Sequence, residues 1–252
     1  MNNMEKPYVV GMDIGGTNSV FGIVDAEGKI LKTGAVKTQQ YKDFDEYVDT
    51  ICNGLKPLIE EVGGIDKIKG FGIGAPNGNY YHGTIEFAPN LPWKGVLPLA
   101  KAFSDRLGIP VNVTNDANAA AIGEMTYGAA RGMKNFIEIT LGTGVGSGIV
   151  INGQLVYGHD GFAGELGHVI VEKNGRVCGC GRKGCLEAYC SATGVARTAG
   201  EILTTTDTPT LLREIPLDQI ESKDVSIAAG KGDEVAKSIM DFTGRLLGRA
   251  CA

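Results

Sequence analysis

Three cysteines lie within eight residues of one another, and a histidine precedes the first of them by ten residues. They are Cys178, Cys180 and Cys185, preceded by His168. Thiolate and imidazole groups are the usual ligands of zinc, and four of them complete the closed tetrahedral set of a structural site. A Cys-x-x-Cys redox motif is absent from this cluster, because one residue separates the first two cysteines and four separate the last two. A nucleic-acid-binding zinc finger would need two widely spaced ligand pairs around a small independent unit.

A glycine turn near the N-terminus has the composition of a phosphate-binding site. The segment DIGGT, from Asp13 to Thr17, directly follows a β-branched apolar run. Its backbone N–H groups and its threonine hydroxyl suit phosphate oxygens. The Asp13 carboxylate would repel phosphate unless Mg²⁺ lay between them, so the combination indicates a metal–nucleotide complex. An ordinary hairpin turn accounts equally well for two adjacent glycines, and the motif alone leaves both interpretations open.

A second glycine-rich turn has the sequence LGTGVGSG, residues 141–148, and lies between two apolar runs. No helix is predicted directly after its glycines, so it is not a dinucleotide-binding fingerprint. Neither Gly-Lys pair of the chain completes a Walker A motif. Because each half of the chain carries one such turn, we expect them to hold phosphates on either side of a cleft.

A carboxylate stands where a predicted strand gives way to a predicted helix. Asp116 follows Thr114 and Asn115 and opens an alanine-rich segment. A helix N-cap is a common role for aspartate, worth about 1 kcal/mol. A general base would occupy the same kind of position, where it could contribute typically 10²–10⁴-fold to a rate. Spacing and composition leave both roles open.

The composition is that of a soluble globular protein and disfavours two classes of function. Of the 252 residues, 43% are hydrophobic and 21% are charged, and the net charge is −5. Nonspecific binding to nucleic acid or to a membrane surface requires concentrated positive charge, which this chain does not have. The N-terminal residues lack the layout of a signal peptide, and no apolar run is long enough to span a bilayer. The sequence therefore predicts a cytoplasmic protein with reduced thiols.

Apolar periodicity predicts an α/β fold with mixed sheets. Three short strands near residues 8–14, 19–24 and 30–38 form a predicted meander, followed by a helix at 44–62 in which Pro57 could cause a kink. Strands and helices then alternate, at 68–73, 97–107, 111–114 and 116–127, and two further strands follow at 136–141 and 145–151. We expect two lobes, residues 1–118 and 119–252, with a ligand cleft between them.

Five motifs in one order resemble the ROK family (repressors, open reading frames and kinases), and the resemblance covers about residues 8–195. Its members include sugar kinases with the two-lobed actin-like, or ribonuclease H-like, fold. The motifs are DIGGT at 13–17, ND at 115–116, GTG at 142–144, GELGH at 164–168 and CGCGRKGCLE at 178–187.

The resemblance implies a role for each matching residue. Asp116 corresponds to the base that takes the proton from the attacking sugar hydroxyl. The implied sugar ligands are Asn90, Asn115, Glu165, His168 and Glu187. The implied contacts to ATP and Mg²⁺ are Asp13, Gly15, Gly16, Thr17, Gly142, Thr143 and Gly144. His168, Cys178, Cys180 and Cys185 are the implied zinc ligands, and zinc would orient His168 and Glu187 toward the sugar without affecting the nucleotide site.

The implied function is ATP-dependent phosphorylation of a hexose, glucose or a related sugar, at its 6-hydroxyl group. Family resemblance also suggests a homodimer. A sugar-sensing regulator is one alternative, although few residues precede the first predicted strand and family repressors carry a helix-turn-helix there. A catalytically inactive sugar-binding protein is the other, and the presence of Asp116 argues against it.

Two features depart from the family pattern. Relatives usually continue for several dozen residues beyond the point equivalent to Ala252, so we expect this chain to bind sugar and zinc and to bind ATP less well. Asn77 stands where many relatives have glycine, near the predicted sugar site. The identity of the hexose is therefore open, since related hexoses are distinguished by single hydrogen bonds.

Overall fold

A computed structural model describes residues 6–252 of the chain, which divide into two compact units. The first unit contains the residues up to Glu138 together with Gly148–Ala163. The second contains Ile139–Ser147 and Gly164–Ala252. These units follow from packing within the chain, and the lobe boundary at residue 118 remains a prediction.

Up to residue 151 the predicted strands and helices are present in the predicted order, with three additional short strands between residues 78 and 97. The strands are β1 (Tyr8–Ile14), β2 (Asn18–Val24), β3 (Ile30–Lys37), β4 (Ile68–Ala75), β5 (Gly78–Asn79), β6 (Thr84–Glu86), β7 (Val96–Leu97), β8 (Val111–Asn115), β9 (Phe136–Leu141), β10 (Val145–Ile151) and β11 (Gln154–Leu155). The α-helices are α1 (Phe44–Glu61), α2 (Leu99–Leu107), α3 (Asp116–Tyr127), α4 (Glu187–Cys190), α5 (Ala192–Thr205), α6 (Ser222–Gly230) and α7 (Glu234–Cys251).

A five-stranded mixed sheet forms the centre of the first unit, in the order β3-β2-β1-β4-β8. Strands β1, β2 and β3 pair antiparallel, as the predicted meander requires, whereas β1, β4 and β8 run parallel. Alternate residues of β1 face the core, so Val10, Met12 and Ile14 are buried. Met12 lies in register with Ile73 of β4, which extends the same apolar face across the sheet.

Helix α1 covers this apolar face because its own apolar residues recur at helical spacing. Asp43 is its N-cap and accepts a hydrogen bond from the backbone N–H of Glu46 at 2.8 Å. Tyr47, Ile51 and Leu55 are fully buried in the core. The helix runs from Phe44 to Glu61 without interruption, so it does not restart at Pro57.

The opposite face of the sheet is lined by glycine, which permits close packing. Gly11 of β1 lies in register with Gly72 of β4. A Cβ atom on Gly74 would lie 3.2 Å from the Ala119 side chain, so α3 approaches the sheet more closely there than a larger residue would allow. Helix α3 therefore begins directly at the edge of the sheet.

The second unit is mostly helical and contains two apolar clusters. One is formed by α5, α6 and α7 and includes Val225, Ala236 and Ile239. The other lies around Val145, Leu186 and Tyr189. No helix in the described part of the chain combines the length and the apolar character needed to cross a bilayer.

Candidate active site

Two carboxylates lie at the same edge of the central sheet. Strands β1, β4 and β8 are parallel, and Asp13 is in register with Gly74, which is in register with Thr114. The carboxyl ends of the three strands therefore meet where Asp13 and Asp116 stand. Burial raises the pKa of the Asp13 carboxyl above its ordinary value, and the negative charge of Asp116 raises it further. A bound divalent cation would relieve this repulsion.

Asn115, rather than Asp116, is the N-cap of α3. The Asn115 Oδ1 atom accepts a hydrogen bond from the backbone N–H of Ala117 at 2.9 Å. Asp116 is the first helical residue and is exposed, although one of its oxygens also lies 2.9 Å from the same N–H group. The alternative in which Asp116 serves as the N-cap is therefore wrong. An exposed carboxylate at this position is accessible to a substrate hydroxyl.

Hydrogen bonds within the turn and from buried side chains fix the conformation of the first glycine turn. Gly15 donates its N–H to the carbonyl of Asn18 at 2.9 Å, and a Cβ atom on Gly15 would lie only 2.8 Å from that carbonyl oxygen. Only glycine fits there. The buried Thr38 hydroxyl donates to the Gly15 carbonyl at 2.8 Å. Thr38 is in turn hydrogen-bonded to Ser19, and Ser19 to the buried Tyr47 hydroxyl, at 2.8 and 2.7 Å.

Asn90 lies directly beside this turn. A Cβ atom on Gly16 would lie 3.2 Å from the Asn90 carbonyl oxygen and 3.4 Å from its Cβ atom. The loop that carries Asn90 is anchored by the buried Trp93, whose ring centroid is 4.4 Å from that of Tyr47. Trp93 is thus a packing anchor. The first unit therefore brings together Asp13, the first glycine turn, Asn90, Asn115 and Asp116.

The second glycine turn is fixed by the start of α5 and by a carboxylate. The backbone N–H of Ala192 donates to the Gly142 carbonyl at 2.8 Å, and the Thr193 hydroxyl donates to the Thr143 carbonyl at 3.2 Å. Glu187 accepts a hydrogen bond from the backbone N–H of Val145 at 3.1 Å. These bonds direct the Gly142 and Thr143 carbonyl groups toward the start of α5.

The predicted zinc ligands converge on one point. One ligand atom from each of His168, Cys178, Cys180 and Cys185 lies within 4.8 Å of every other. The Cys180 and Cys185 sulfur atoms are 3.7 Å apart, and His168 Nδ1 is 3.7 Å from the Cys178 sulfur. Tetrahedral zinc with bonds near 2.3 Å places two thiolates about 3.8 Å apart. The four residues therefore suit a zinc ion, and small side-chain adjustments would bring all their separations to the tetrahedral value.

The polypeptide around this cluster is folded tightly enough to require glycine. Gly184 has φ +83°, and a Cβ atom there would lie 1.8 Å from the Glu172 carbonyl oxygen. The backbone N–H of Cys178 donates to the Arg182 carbonyl at 2.8 Å. The Arg182 side chain donates to the His168 carbonyl at 3.0 Å, so it also links two parts of the cluster.

The three carboxylate and imidazole residues predicted to bind sugar in the second unit lie around this cluster. Glu165 precedes the single helical turn that contains His168, whose N–H donates to the Glu165 carbonyl at 3.0 Å. The Cys178 sulfur is 3.5 Å from Glu187 Oε1. Because the other Glu187 oxygen binds Val145, this one carboxylate joins the zinc cluster to the second glycine turn. That zinc affects only the sugar stays a prediction, which binding measurements on the zinc-free chain would test.

Arg176 is a structural residue that the sequence pattern does not reveal. Its side chain is 9% exposed, and its guanidinium carbon lies 4.5 Å from the centroid of the Tyr189 ring. The guanidinium donates to the Ala188 carbonyl at 3.1 Å and to the Glu201 carboxylate at 2.6 Å. It thereby attaches the cysteine loop to α4 and α5. Its position two residues before Cys178 is the only signal in the sequence.

Comparison with known proteins matches residues 9–252 to the ROK family model. The chain is 41% identical over 232 residues to a glucokinase of Streptomyces coelicolor, covering 90% of this chain and 71% of that protein. It is 38% identical over 253 residues to a glucokinase of Thermotoga maritima, covering 99% of this chain and 78% of that protein.

Among solved structures, the chain resembles a ROK family glucokinase from Streptomyces griseus in complex with glucose and AMPPNP. The TM-score is 0.77 at 39% identity, covering 97% of this chain and 78% of that chain. A ROK family transcriptional regulator, a homologue of the E. coli MLC protein, gives a TM-score of 0.83 at 25% identity, covering 97% of this chain and 61% of that chain. The likeness to the glucokinase confirms the actin-like α/β fold class. The five sequence motifs, the arrangement of their residues and these matches together show that the chain belongs to the ROK family.

Proposed function

We propose that this chain is an ATP-dependent sugar kinase that transfers the γ-phosphate of ATP to a hexose. Similarity to glucokinases over 90% and 99% of the chain supports this reaction class. The S. griseus relative, in complex with glucose and AMPPNP, supports glucose and ATP as the substrates. The more specific assignments are glucose as the preferred hexose, its 6-hydroxyl as the nucleophile and Asp116 as the base.

In the proposed reaction, Asp116 accepts the proton of the attacking hydroxyl as the sugar oxygen bonds to the γ-phosphorus. The bond from that phosphorus to the β–γ bridging oxygen breaks, so that ADP leaves with its electron pair. The observation that carries this proposal is the pair of carboxylates, Asp13 and Asp116, at one edge of the sheet beside a glycine turn. The exposure of Asp116 is consistent with direct contact to a substrate.

Each glycine turn would bind phosphate oxygens of ATP through backbone N–H groups. In the first turn these are the N–H groups of Gly16 and Thr17, because the Gly15 N–H is bound to the Asn18 carbonyl. In the second turn they are those of Thr143 and Gly144, because the Gly142 N–H is bound to the Gly144 carbonyl. Asp13 would hold Mg²⁺, which supplies positive charge to the phosphates when ATP is bound. The raised pKa of Asp13 supports this role, because a cation would favour the ionised carboxylate in that surrounding.

Each unit would contribute polar residues to sugar binding: Asn90 and Asn115 in the first unit, and Glu165, His168 and Glu187 in the second. Amide, carboxylate and imidazole groups suit a sugar because its hydroxyls both donate and accept hydrogen bonds. Asn115 uses its carbonyl oxygen as the helix cap, so its amide N–H groups can donate to a hydroxyl. His168 presents Nδ1 to the cysteines, and its Nε2 would face the sugar.

Zinc would have a structural role in this enzyme. The four ligands fill a tetrahedral set and leave no position for an activated water molecule. When zinc is bound it supplies only fixed geometry, and it would fix the ring plane of His168 and the start of α4 at Glu187.

The decisive experiment measures ADP release across a panel of hexoses with Asp116→Asn as the test variant. We expect glucose to give the highest kcat/KM, and kcat to fall about 10²–10⁴-fold in the variant because the base is lost. Asp43→Asn is a matched control, since Asp43 caps α1 in the same unit and asparagine caps a helix equally well. Turnover that survives Asp116→Asn would remove this residue from the role of base. Nuclear magnetic resonance of the product would identify the phosphorylated hydroxyl.

A second candidate function is sugar sensing without catalysis. The TM-score of 0.83 to a transcriptional regulator favours it. Glucose binding by calorimetry with no ADP release from any hexose would support this alternative.

We also propose that the chain forms a homodimer, which light scattering at known concentration would test.

A further inference from the structure

Three consecutive carbonyl groups of the first glycine turn are bound by two neighbouring residues. The carbonyl of Gly15 accepts the Thr38 hydroxyl at 2.8 Å, and the carbonyl of Thr17 accepts the Thr38 backbone N–H at 2.9 Å. The carbonyl of Gly16, between them, accepts the side-chain amide of Gln39 at 2.6 Å. Thr38 and Gln39 together therefore fix the orientation of the three peptide groups that begin at Gly15, Gly16 and Thr17.

The orientation of the carbonyls decides the orientation of the phosphate donors. In a planar trans peptide, the N–H group points opposite to the carbonyl of the same peptide unit. Binding the carbonyls of Gly15 and Gly16 on the Thr38 side turns the N–H groups of Gly16 and Thr17 away from the protein. These are the donors that would face phosphate oxygens.

Gln39 also reaches a second loop. The same Nε2 atom donates to the carbonyl of Asn90 at 3.0 Å. Both partners are carbonyl oxygens, which only accept hydrogen bonds, so the nitrogen end of the Gln39 amide must face them. A second contact also brings the two loops together. A Cβ atom on Gly16 would lie 3.2 Å from the Asn90 carbonyl oxygen.

We infer that Gln39 is a positioning residue that couples the phosphate-binding turn to the Asn90 loop through the two N–H groups of one amide. The inference rests on the proposed function for its meaning in catalysis, since Asn90 is there a sugar ligand and the turn binds ATP. In this proposal Gln39 acts through the turn and the Asn90 loop, because its amide donates to their carbonyls. It fixes the N–H groups that bind the γ-phosphate at a constant position relative to the sugar. The relative position of two reactants affects turnover more than the binding of either one.

The test uses Gln39→Met, which keeps the length of the side chain and removes both donors. Gln40→Met is the matched control, because Gln40 is the adjacent exposed glutamine. Gln39→Lys is the rescue variant, since an ammonium group can donate to two carbonyls. Hydrogen exchange is measured on peptides that cover residues 15–18 and 88–93, and steady-state kinetics are measured for both substrates.

We expect Gln39→Met to accelerate amide exchange at least about threefold in both peptides, and Gln40→Met and Gln39→Lys to leave both unchanged. We expect kcat to fall about tenfold, with each KM changing less than about twofold, because misplacement of reactants lowers turnover. Faster exchange in one peptide only, or in neither, would overturn the coupling. If the unaltered chain phosphorylates no hexose, the proposed function fails and hydrogen exchange alone decides the role of Gln39.

Discussion

Replacing Gly144 by alanine tests the contact between the second glycine turn and Glu187. Gly144 does not have a positive φ, so its backbone conformation is open to alanine. The new Cβ atom would lie 2.5 Å from Glu187 Oε2, whereas ordinary contacts begin near 3.4 Å. The carboxylate must therefore shift by roughly 1 Å, and we expect this shift to break the hydrogen bond that it accepts from the Val145 N–H at 3.1 Å. Gly142→Ala is the control, because a Cβ atom there meets nothing within 4 Å.

The magnitude follows from the hydrogen bond that is lost. A hydrogen bond to a charged group contributes about 1.5–3 kcal/mol. For a chain of this size, each kcal/mol changes Tm by about 2–4 °C, so Gly144→Ala should lower Tm by about 3–12 °C. Gly142→Ala should leave Tm unchanged or raise it slightly, because alanine reduces the entropy of the unfolded chain.

Differential scanning calorimetry of the two variants measures this difference without any assumption about catalysis. Hexose kinetics then test the proposed role of Glu187 as a sugar ligand. We expect Gly144→Ala to raise KM for the hexose at least about tenfold, the equivalent of 1.4 kcal/mol. Equal Tm values for Gly144→Ala and Gly142→Ala would show that the Glu187 carboxylate moves aside freely and that its bond to Val145 contributes nothing.

Three further predictions concern ionisation, metal and the buried hydroxyls. The raised pKa of Asp13 means that the ionised carboxylate destabilises the fold, so stability falls as pH rises through that pKa. Asp13→Asn should therefore raise Tm at pH 7, with a difference that disappears below pH of about 3.9, and calorimetry across pH measures it. Metal analysis should find one zinc per chain, and its removal by a chelator should weaken hexose binding and leave nucleotide binding unchanged in calorimetric titrations, whereas an equal loss of nucleotide binding would show that zinc also acts on the second glycine turn. Ser19→Ala leaves the buried Tyr47 hydroxyl without its partner, so it should cost about 1–3 kcal/mol in urea unfolding; an unchanged midpoint would show that the hydroxyl chain adds no stability.

Local features of the sequence were sufficient to predict the α/β fold class and the cluster of His168 with the three cysteines. The alternation of Val10, Met12 and Ile14 and the helical spacing in α1 depend only on neighbouring residues, so periodicity locates both elements. The cysteine cluster is equally local, since its three cysteines fall within one short segment. Glycines mark the two turns predicted to bind phosphate because few other residues tolerate such close backbone contacts.

The tertiary structure decided which side chains act together across long separations in the chain. Asn115 and Asp116 are both good helix caps by type, and only the backbone geometry at the start of α3 assigns that role to Asn115. Glu187 meets Val145 across 42 residues, and Gln39 meets Asn90 across 51. Neither pair leaves a periodic pattern, because each contact depends on how separate elements pack. Residue types and short spacings therefore determined the chemistry available to this chain, and three-dimensional packing determined how its groups are oriented and connected.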